Sequence, residues 1–135
     1  MTRGQKNNNP LNIRKVAGTH WKGEKLPLKG AGGSEFVQFI TVEWGIRAAF
    51  RLLETYRKKY NAVCIQDIIT RWAPPSENNT SAYIKDVCRL TGFGGQERLT
   101  AAQLQKLVAA MARIESRMEL TDAQLAEGWE LYMRN

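Results

Sequence analysis

The pattern of hydrophobic and polar residues changes at about residue 40. Up to that point no helical period is sustained, and Asn, Gly and Lys are frequent. The apolar run from Glu35 to Ile40 has the aromatic and β-branched residues of a short strand. We expect it to form a small hairpin with residues near Trp21, with a flexible glycine-rich turn over residues 30–33.

Beyond residue 40, apolar residues recur at the spacing of amphipathic helices. The five predicted helices run from Thr41 to about Tyr60, from Ile65 to Trp72, from Thr80 to Gly92, and onward from Thr100 and from Thr121. The last two begin with Thr-x-x-Gln, the signature of a capping box, and leucines flank each box in the positions of a hydrophobic staple. The predicted fold class is therefore mainly α, with about five helices and one small N-terminal β-hairpin.

Length and composition indicate a single globular domain over residues 1–135. Of the 135 residues, 43% are hydrophobic and 24% are charged, as in ordinary folded domains. The chain has no apolar run of the ~18 to 20 residues that a transmembrane helix needs, and its first residues are too polar for a signal peptide. We expect a protein that is made in the cytoplasm, does not insert into membranes, and reaches any external target through a virion, lysis or a secretion system.

The cysteine and histidine content argues against metal and thiol chemistry. Cys64 and Cys88 have no CxxC partner, and His20 is the single histidine. Neither a His-based zinc site nor a Cys–His nucleophile pair is therefore expected. The sequence predicts two free buried thiols, no bound metal and no small-molecule cofactor.

The net charge of +7 is concentrated in the N-terminal half. Residues 1–60 contain 12 Lys and Arg against 4 Asp and Glu, whereas residues 61–135 contain 8 against 9. A polyanionic partner is therefore expected to meet the first 60 residues. Nucleic acid, an acidic membrane surface and the bacterial cell wall all fit this description, and charge alone does not choose among them.

One carboxylate, Glu115, breaks the pattern of the fourth helix. At ~100° per residue, it falls inside the apolar stripe that includes Leu107, Met111 and Met118. A charged group that faces a core loses hydration worth several kcal/mol unless it is paired. Such an acid suits glycosidic cleavage, in which the leaving oxygen must be protonated. A structural ion pair with a basic residue, or an acid that reaches solvent at a fraying helix end, accounts for the pattern equally well.

Five motifs carry a resemblance to a known family. They are N-N-N-P-L-N-I-R at residues 7–14, W-K-G at 21–23, F-V-Q-F at 36–39, W-G-I-R-A at 44–48 and R-W-A-P-P-S-E-N-N-T-S-A-Y at 71–83. Together they span most of the chain and resemble small phage and prophage proteins of the lysozyme-like superfamily, often described as virion structural or lytic proteins. The resemblance implies a lysozyme-like α+β domain.

A weaker similarity, to autolysin-type glucosaminidases, concerns the catalytic acid. In those enzymes an A-x-x-E-S helix that carries the catalytic Glu precedes an Asn-rich segment. Here A-A-M-A-R-I-E-S lies at residues 109–116, after the Asn-rich segment. A circular permutation accounts for this order and makes Glu115 the matching position, which the helical pattern selects independently.

The resemblance implies cleavage of the β-1,4 bond between N-acetylmuramic acid and N-acetylglucosamine, with cell-wall peptidoglycan as the partner. Glu115 is then the general acid/base of a muramidase or a lytic transglycosylase, and Glu35 is the candidate if a second carboxylate acts. The expected substrate-binding residues are Asn8, Asn9, Asn12, Trp72, Asn78 and Tyr83, whose amides and rings suit N-acetyl groups and sugar faces. Turn formation before Pro10 and packing in the core are the alternative roles of these asparagines and aromatics.

Two other functions are open at this point. A catalytically silent virion or wall-binding module of the same fold is one, because fold and activity separate easily. A nucleic-acid-binding domain is the other, suggested by the basic first half. The chain has no helix densely lined with Lys and Arg and no recognisable reading motif, so nucleic acid is the less favoured partner.

Overall fold

In a computed structural model, the structure is described for residues 1–16, 18–25 and 35–135. Within these ranges lie six helices: α1 Arg3–Lys6, α2 Val42–Tyr60, α3 Ile65–Trp72, α4 Thr80–Thr91, α5 Ala101–Ser116 and α6 Asp122–Arg134. The mainly α class is confirmed, and α2 to α6 correspond to the five predicted helices. None of the described helices is both long and apolar enough to cross a membrane.

Polar side chains fix the points where the helices begin. The Thr-x-x-Gln segments at residues 100–103 and 121–124 each form both reciprocal hydrogen bonds of a capping box, as predicted. The cap of α4 lies one residue before the expected one. Asn79 accepts a hydrogen bond from the N–H of Ala82, while the hydroxyl of Thr80 donates to the carbonyl of Ala73.

The short helix α1 is an addition to the predicted elements. Its four residues are too few to show a hydrophobic period, and for this reason periodicity does not predict it. It begins with a third capping box, between Thr2 and Gln5. The Thr-x-x-Gln signature is therefore the sequence signal by which α1 can be found.

The N-terminal segment contains isolated bridges in place of the predicted hairpin. Arg14 pairs with Phe36 and Glu24 pairs with Phe39, both antiparallel. Within the described ranges, no strand extends beyond these single pairs. Residues 35–40 hydrogen-bond to residues 13–15 and to residues 23–25 in turn. Neither pairing continues far enough to form a ladder. The glycine-rich turn predicted over residues 30–33 lies outside the described residues.

The hydrophobic core is formed jointly by the N-terminal segment and the helices. Its largest fully buried side chains are Leu11, Val37, Phe39, Ile46, Phe50, Ile65, Ile68, Ile69, Val87, Leu107, Val108 and Met111. α6 packs mainly along α2, where Gly128 permits close approach: a Cβ there would lie 2.4 Å from Cγ2 of Ile46. Trp129 meets Phe50 edge to face with ring centres 4.9 Å apart. These contacts fix α6 against α2.

Candidate active site

A broad groove lies beside the C-terminal end of α5. Its volume is about 840 Å³, and its lining residues are Arg3, Asn12, Arg14, Phe36, Tyr56, Trp72, Ala73, Glu77, Asn78 and Glu115. They come from the N-terminal segment, α2, the end of α3 with the turn that follows it, and α5. Four residues expected from the sequence therefore lie together: Asn12, Trp72, Asn78 and Glu115.

The carboxylate of Glu115 is held by two neutral donors. Its Oε2 accepts a hydrogen bond from Nε1 of Trp72 at 3.3 Å and from the hydroxyl of Tyr83 at 2.8 Å. No other described group donates to either of its oxygens, and no Lys or Arg of the described ranges forms an ion pair with it. The half-buried side chain is thus oriented at Oε2, and Oε1 is the oxygen left for a ligand.

The hydroxyl of Tyr83 is a dependable donor in this contact. Burial raises the pKa of the Tyr83 phenol, and the negative charge of the Glu115 carboxylate raises it further. The phenol therefore stays protonated at any pH at which the protein is expected to work. Tyr83 touches the acid from α4 and is not among the groove-lining residues, so its role lies in positioning Glu115.

Side chains of the N-terminal segment hold the end of α5. The last carbonyls of a helix have no partner within that helix. Here three side chains donate to them: Asn12 to Glu115, Thr2 to Ser116 and Gln5 to Arg117, at 2.9, 2.7 and 3.1 Å. The backbone that carries the acid is therefore fixed by residues more than 100 positions away in the sequence.

The side chain of Ser116 adds a further contact between the end of α5 and the N-terminal segment. It is completely buried, and its hydroxyl donates to the carbonyl of Pro10 at 2.7 Å. Gly4 packs directly on it, because a Cβ at position 4 would lie 1.8 Å from Oγ of Ser116. Only a glycine allows α1 to approach the end of α5 so closely.

The other expected asparagines take up backbone contacts. Asn9 is completely buried, and its side chain exchanges hydrogen bonds with the backbone of Ile13 and Val37. Asn8 donates to the carbonyl of Phe39 at 3.2 Å and does not line the groove. These two side chains brace the N-terminal segment through contacts with its backbone and do not line the groove.

Two further carboxylates bear on the question of a second acid. Glu35 is 78% exposed, lies 3.6 Å from a guanidinium nitrogen of Arg14, and does not line the groove. Glu77 does line it, from the turn between α3 and α4. Sequence reasoning missed Glu77, although it lies within the W-A-P-P-S-E motif, because an exposed acid in a polar turn interrupts no pattern.

The described part of the chain holds no group of three or more His, Cys, Asp or Glu placed to bind a metal ion. Cys64 and Cys88 are free thiols, the first buried and the second partly so. Burial raises the pKa of the Cys64 thiol, which leaves it in the unreactive protonated form. Neither cysteine lines the groove.

Comparison with known proteins gives one clear relative. Over 117 aligned residues, covering 84% of this chain and 71% of the relative, the chain is 40% identical to Protein P5 of Pseudoalteromonas phage PM2. No protein-family model matches the chain. On this identity and coverage, the chain belongs to the same family as Protein P5 of Pseudoalteromonas phage PM2.

Proposed function

We propose that this protein cleaves peptidoglycan at the β-1,4 bond between N-acetylmuramic acid and N-acetylglucosamine, with Glu115 as general acid/base. The observation that carries the proposal is the position of Glu115 in an open groove, oriented by Trp72 and Tyr83. Acid–base cleavage of a glycan needs a carboxyl group in hydrogen-bond reach of a long substrate. A groove that runs past a single held carboxyl meets that need.

The hydrogen bonds of Glu115 indicate which oxygen transfers the proton. Oε2 already accepts from Trp72 and Tyr83, so the hydrogen of the neutral carboxylic acid belongs on Oε1. Oε1 then protonates the leaving glycosidic oxygen. The two donors on Oε2 stabilise the carboxylate formed in that step, which next accepts a proton from the attacking hydroxyl.

The remaining groove residues suit a glycan. Asn78 is exposed and offers an amide that can both donate and accept, as N-acetyl groups require. Asn12 lines the groove, but its amide N–H donates to the carbonyl of Glu115 and its Oδ1 is buried. Tyr56 and Trp72 offer ring faces against which the apolar faces of sugars pack. The volume of about 840 Å³ lies within the range of roughly 300–1,000 Å³ typical of ligand sites.

Two routes are compatible with this groove. In transglycosylation, Glu115 alone acts as acid and then as base, and a hydroxyl of the substrate attacks. In inverting hydrolysis, a second carboxylate activates water. Glu77 is better placed for that second role than Glu35, because Glu77 lines the groove and Glu35 lies in an exposed ion pair outside it.

A lysozyme-like fold with permuted chain order is part of the proposal. Support comes from the contacts of Thr2 and Asn12 with the last carbonyls of α5. Because these segments touch, the acid-bearing helix could be joined directly to the Asn-rich segment with little rearrangement. That connection is the chain order of the autolysin-type glucosaminidases.

The test is incubation of the protein with purified murein sacculi, followed by mass spectrometry of the released muropeptides. Fragments with 1,6-anhydro ends support transglycosylation, and fragments with reducing ends support hydrolysis. Release of free peptides from intact glycan, or binding without soluble products, contradicts the proposed function. The relation to a phage protein makes delivery by a virion or during lysis the proposed route to the wall.

A further inference from the structure

One corner of the groove has a composition that acid–base chemistry does not require. Arg3, Arg14 and Phe36 line it together, and we call these three residues the arginine corner. The guanidinium carbon of Arg3 lies 4.2 Å from the centre of the Phe36 ring, and that of Arg14 lies 5.0 Å from it. Two positive charges therefore converge on one aromatic ring at the edge of the groove.

Neither guanidinium is engaged in a buried ion pair. In the described ranges Arg3 has no carboxylate within 4 Å, and the partner of Arg14 is Glu35 at 3.6 Å. The side chains of that pair are 71% and 78% exposed, so water and salt screen it. Contact with the Phe36 ring orients the guanidinium planes and leaves their N–H groups available to a ligand.

Residues of a different kind line the rest of the groove. Glu77 and Asn78 come from the turn between α3 and α4, whereas the arginine corner comes from the N-terminal segment. Glu115 lines the same groove. A ligand that fills the groove therefore meets both Glu115 and the cationic arginine corner.

We infer that the arginine corner is a subsite for carboxylate groups carried by the glycan. Guanidinium groups bind planar carboxylates through paired, charge-assisted hydrogen bonds, and two such groups at one corner of the groove both attract an anion. The inference rests on the proposed function and deepens it. It makes acidic glycan strands the preferred substrate class, bound more tightly than neutral strands of N-acetylglucosamine.

Such strands offer two sources of carboxylate: the peptide stem, and the lactyl group of a muramic acid that has no stem. The lactyl carboxyl of a stem-bearing unit is not free, because it forms the amide bond to the stem. Binding of three soluble ligands distinguishes these two sources. They are glycan fragments with peptide stems, the same fragments after the stems are removed by an amidase, and neutral oligomers of N-acetylglucosamine. Each is titrated calorimetrically at ~50 mM salt, where exposed charges are weakly screened, and every protein carries Glu115→Gln so that no ligand is cleaved.

The variant is Arg3→Met/Arg14→Met. Its matched control is Arg89→Met/Arg134→Met, which removes the same charge from exposed helix positions that do not line the groove. We expect Arg3→Met/Arg14→Met to weaken binding of the acidic ligands by about tenfold or more and to leave binding of the neutral oligomer unchanged. The control binds all ligands like its parent, and thermal melting shows that each protein is folded.

The result with the two acidic ligands identifies the source of the anion. Loss confined to the peptide-bearing fragment assigns the stem carboxylates. Loss confined to the stem-free fragment assigns the lactyl carboxylate, and loss with both shows that the arginine corner binds either group. Each of these results supports the subsite. An unchanged affinity, or an equal loss with the neutral oligomer, overturns it while the proposed function stands. A parent protein that binds none of the three ligands contradicts the proposed function, and the subsite with it.

Discussion

The hydroxyl of Tyr83 donates a 2.8 Å hydrogen bond to Oε2 of Glu115 and so ties α4 to the acid-bearing end of α5. Trp72 donates to the same oxygen, so the orientation of the carboxyl does not depend on a charged partner. Neither donor neutralises the carboxyl in an ion pair. Tyr83 and Trp72 are therefore positioning residues in the proposed mechanism.

Tyr83→Phe removes one of these donors and retains the ring. Because a hydrogen bond to a charged group contributes about 1.5–3 kcal/mol, we expect murein cleavage to fall by ~10-fold or more, while glycan binding by the folded variant is unchanged. Initial rates of sacculus solubilisation measure cleavage, and calorimetry measures glycan binding. Tyr60→Phe, at an exposed position outside the groove, is the control. A Tyr83→Phe protein with the full rate would show that this contact has no positioning role.

Gly4→Ala tests the packing of α1 on the end of α5. The new methyl group would collide with Ser116, so we expect a loss of about 1–3 kcal/mol in the free energy of unfolding. Ser116→Gly in the same chain removes the colliding side chain, and the double variant is expected to be more stable than the sum of the single effects. Urea denaturation of the four proteins gives this cycle, and strict additivity would contradict the contact.

We expect Glu54, which does not line the groove, to contribute to stability in a way that depends on pH. Hydrogen bonds from Lys58 and then Tyr132, at 2.7 and 2.5 Å, hold the pKa of Glu54 at about 2, below its ordinary value of 4.5. A carboxyl whose pKa is lower in the folded state stabilises the protein above pH ~4.5, and this stabilisation is lost as pH falls toward 2.

Glu54→Gln is therefore expected to lower the free energy of unfolding by about 1–2 kcal/mol at pH 7, with allowance for the exposed Lys58 partner. The difference between variant and wild type should shrink steadily from pH 5 to pH 2. Urea denaturation at several pH values measures it. A difference that does not vary with pH would mean that the Glu54 charge does not contribute.

The helices follow from local chemistry, and so they could be predicted from the sequence. Apolar spacing marks α2 to α6, and three Thr-x-x-Gln segments mark the starts of α1, α5 and α6. The expected pairing of residues 35–40 with residues near Trp21 occurs only as the isolated bridge of Glu24 with Phe39, and the bridge of Arg14 with Phe36 could not be predicted in this way. Such partners are set by how the N-terminal segment folds back over the core, which no local pattern records.

The residues of the candidate site also differ in whether the sequence predicts them. Glu115 could be identified because it interrupts an apolar stripe, and Trp72 because it belongs to a motif beside a proline turn. The hydrogen bonds from Trp72 and Tyr83 to Oε2 of Glu115 are tertiary contacts, across sequence separations of 43 and 32 residues, and no local pattern predicts them. Arg3 and Glu77 gave no signal, since exposed charges near a terminus or in a turn are common in any soluble domain.

Glu77→Gln separates the two proposed routes. The single-carboxylate route is favoured by the sequence, so we expect cleavage to stay within about threefold of the wild-type rate, the product ends to be 1,6-anhydro, and Glu115 to remain essential. Mass spectrometry of muropeptides gives both rate and product. A ~100-fold fall together with reducing ends in the wild-type products would instead make Glu77 the second carboxylate.

Cleavage of murein sacculi by a folded Glu115→Gln protein tests the central claim most directly. The glutamine amide oxygen can still accept from Trp72 and Tyr83, so the melting temperature should hold or rise. The transferable proton is lost, so the rate should fall by ~100-fold or more. Glu119→Gln, at a carboxylate that is 81% exposed, is the control and should retain the full rate. Wild-type cleavage by folded Glu115→Gln would contradict the assignment of Glu115 as the catalytic acid.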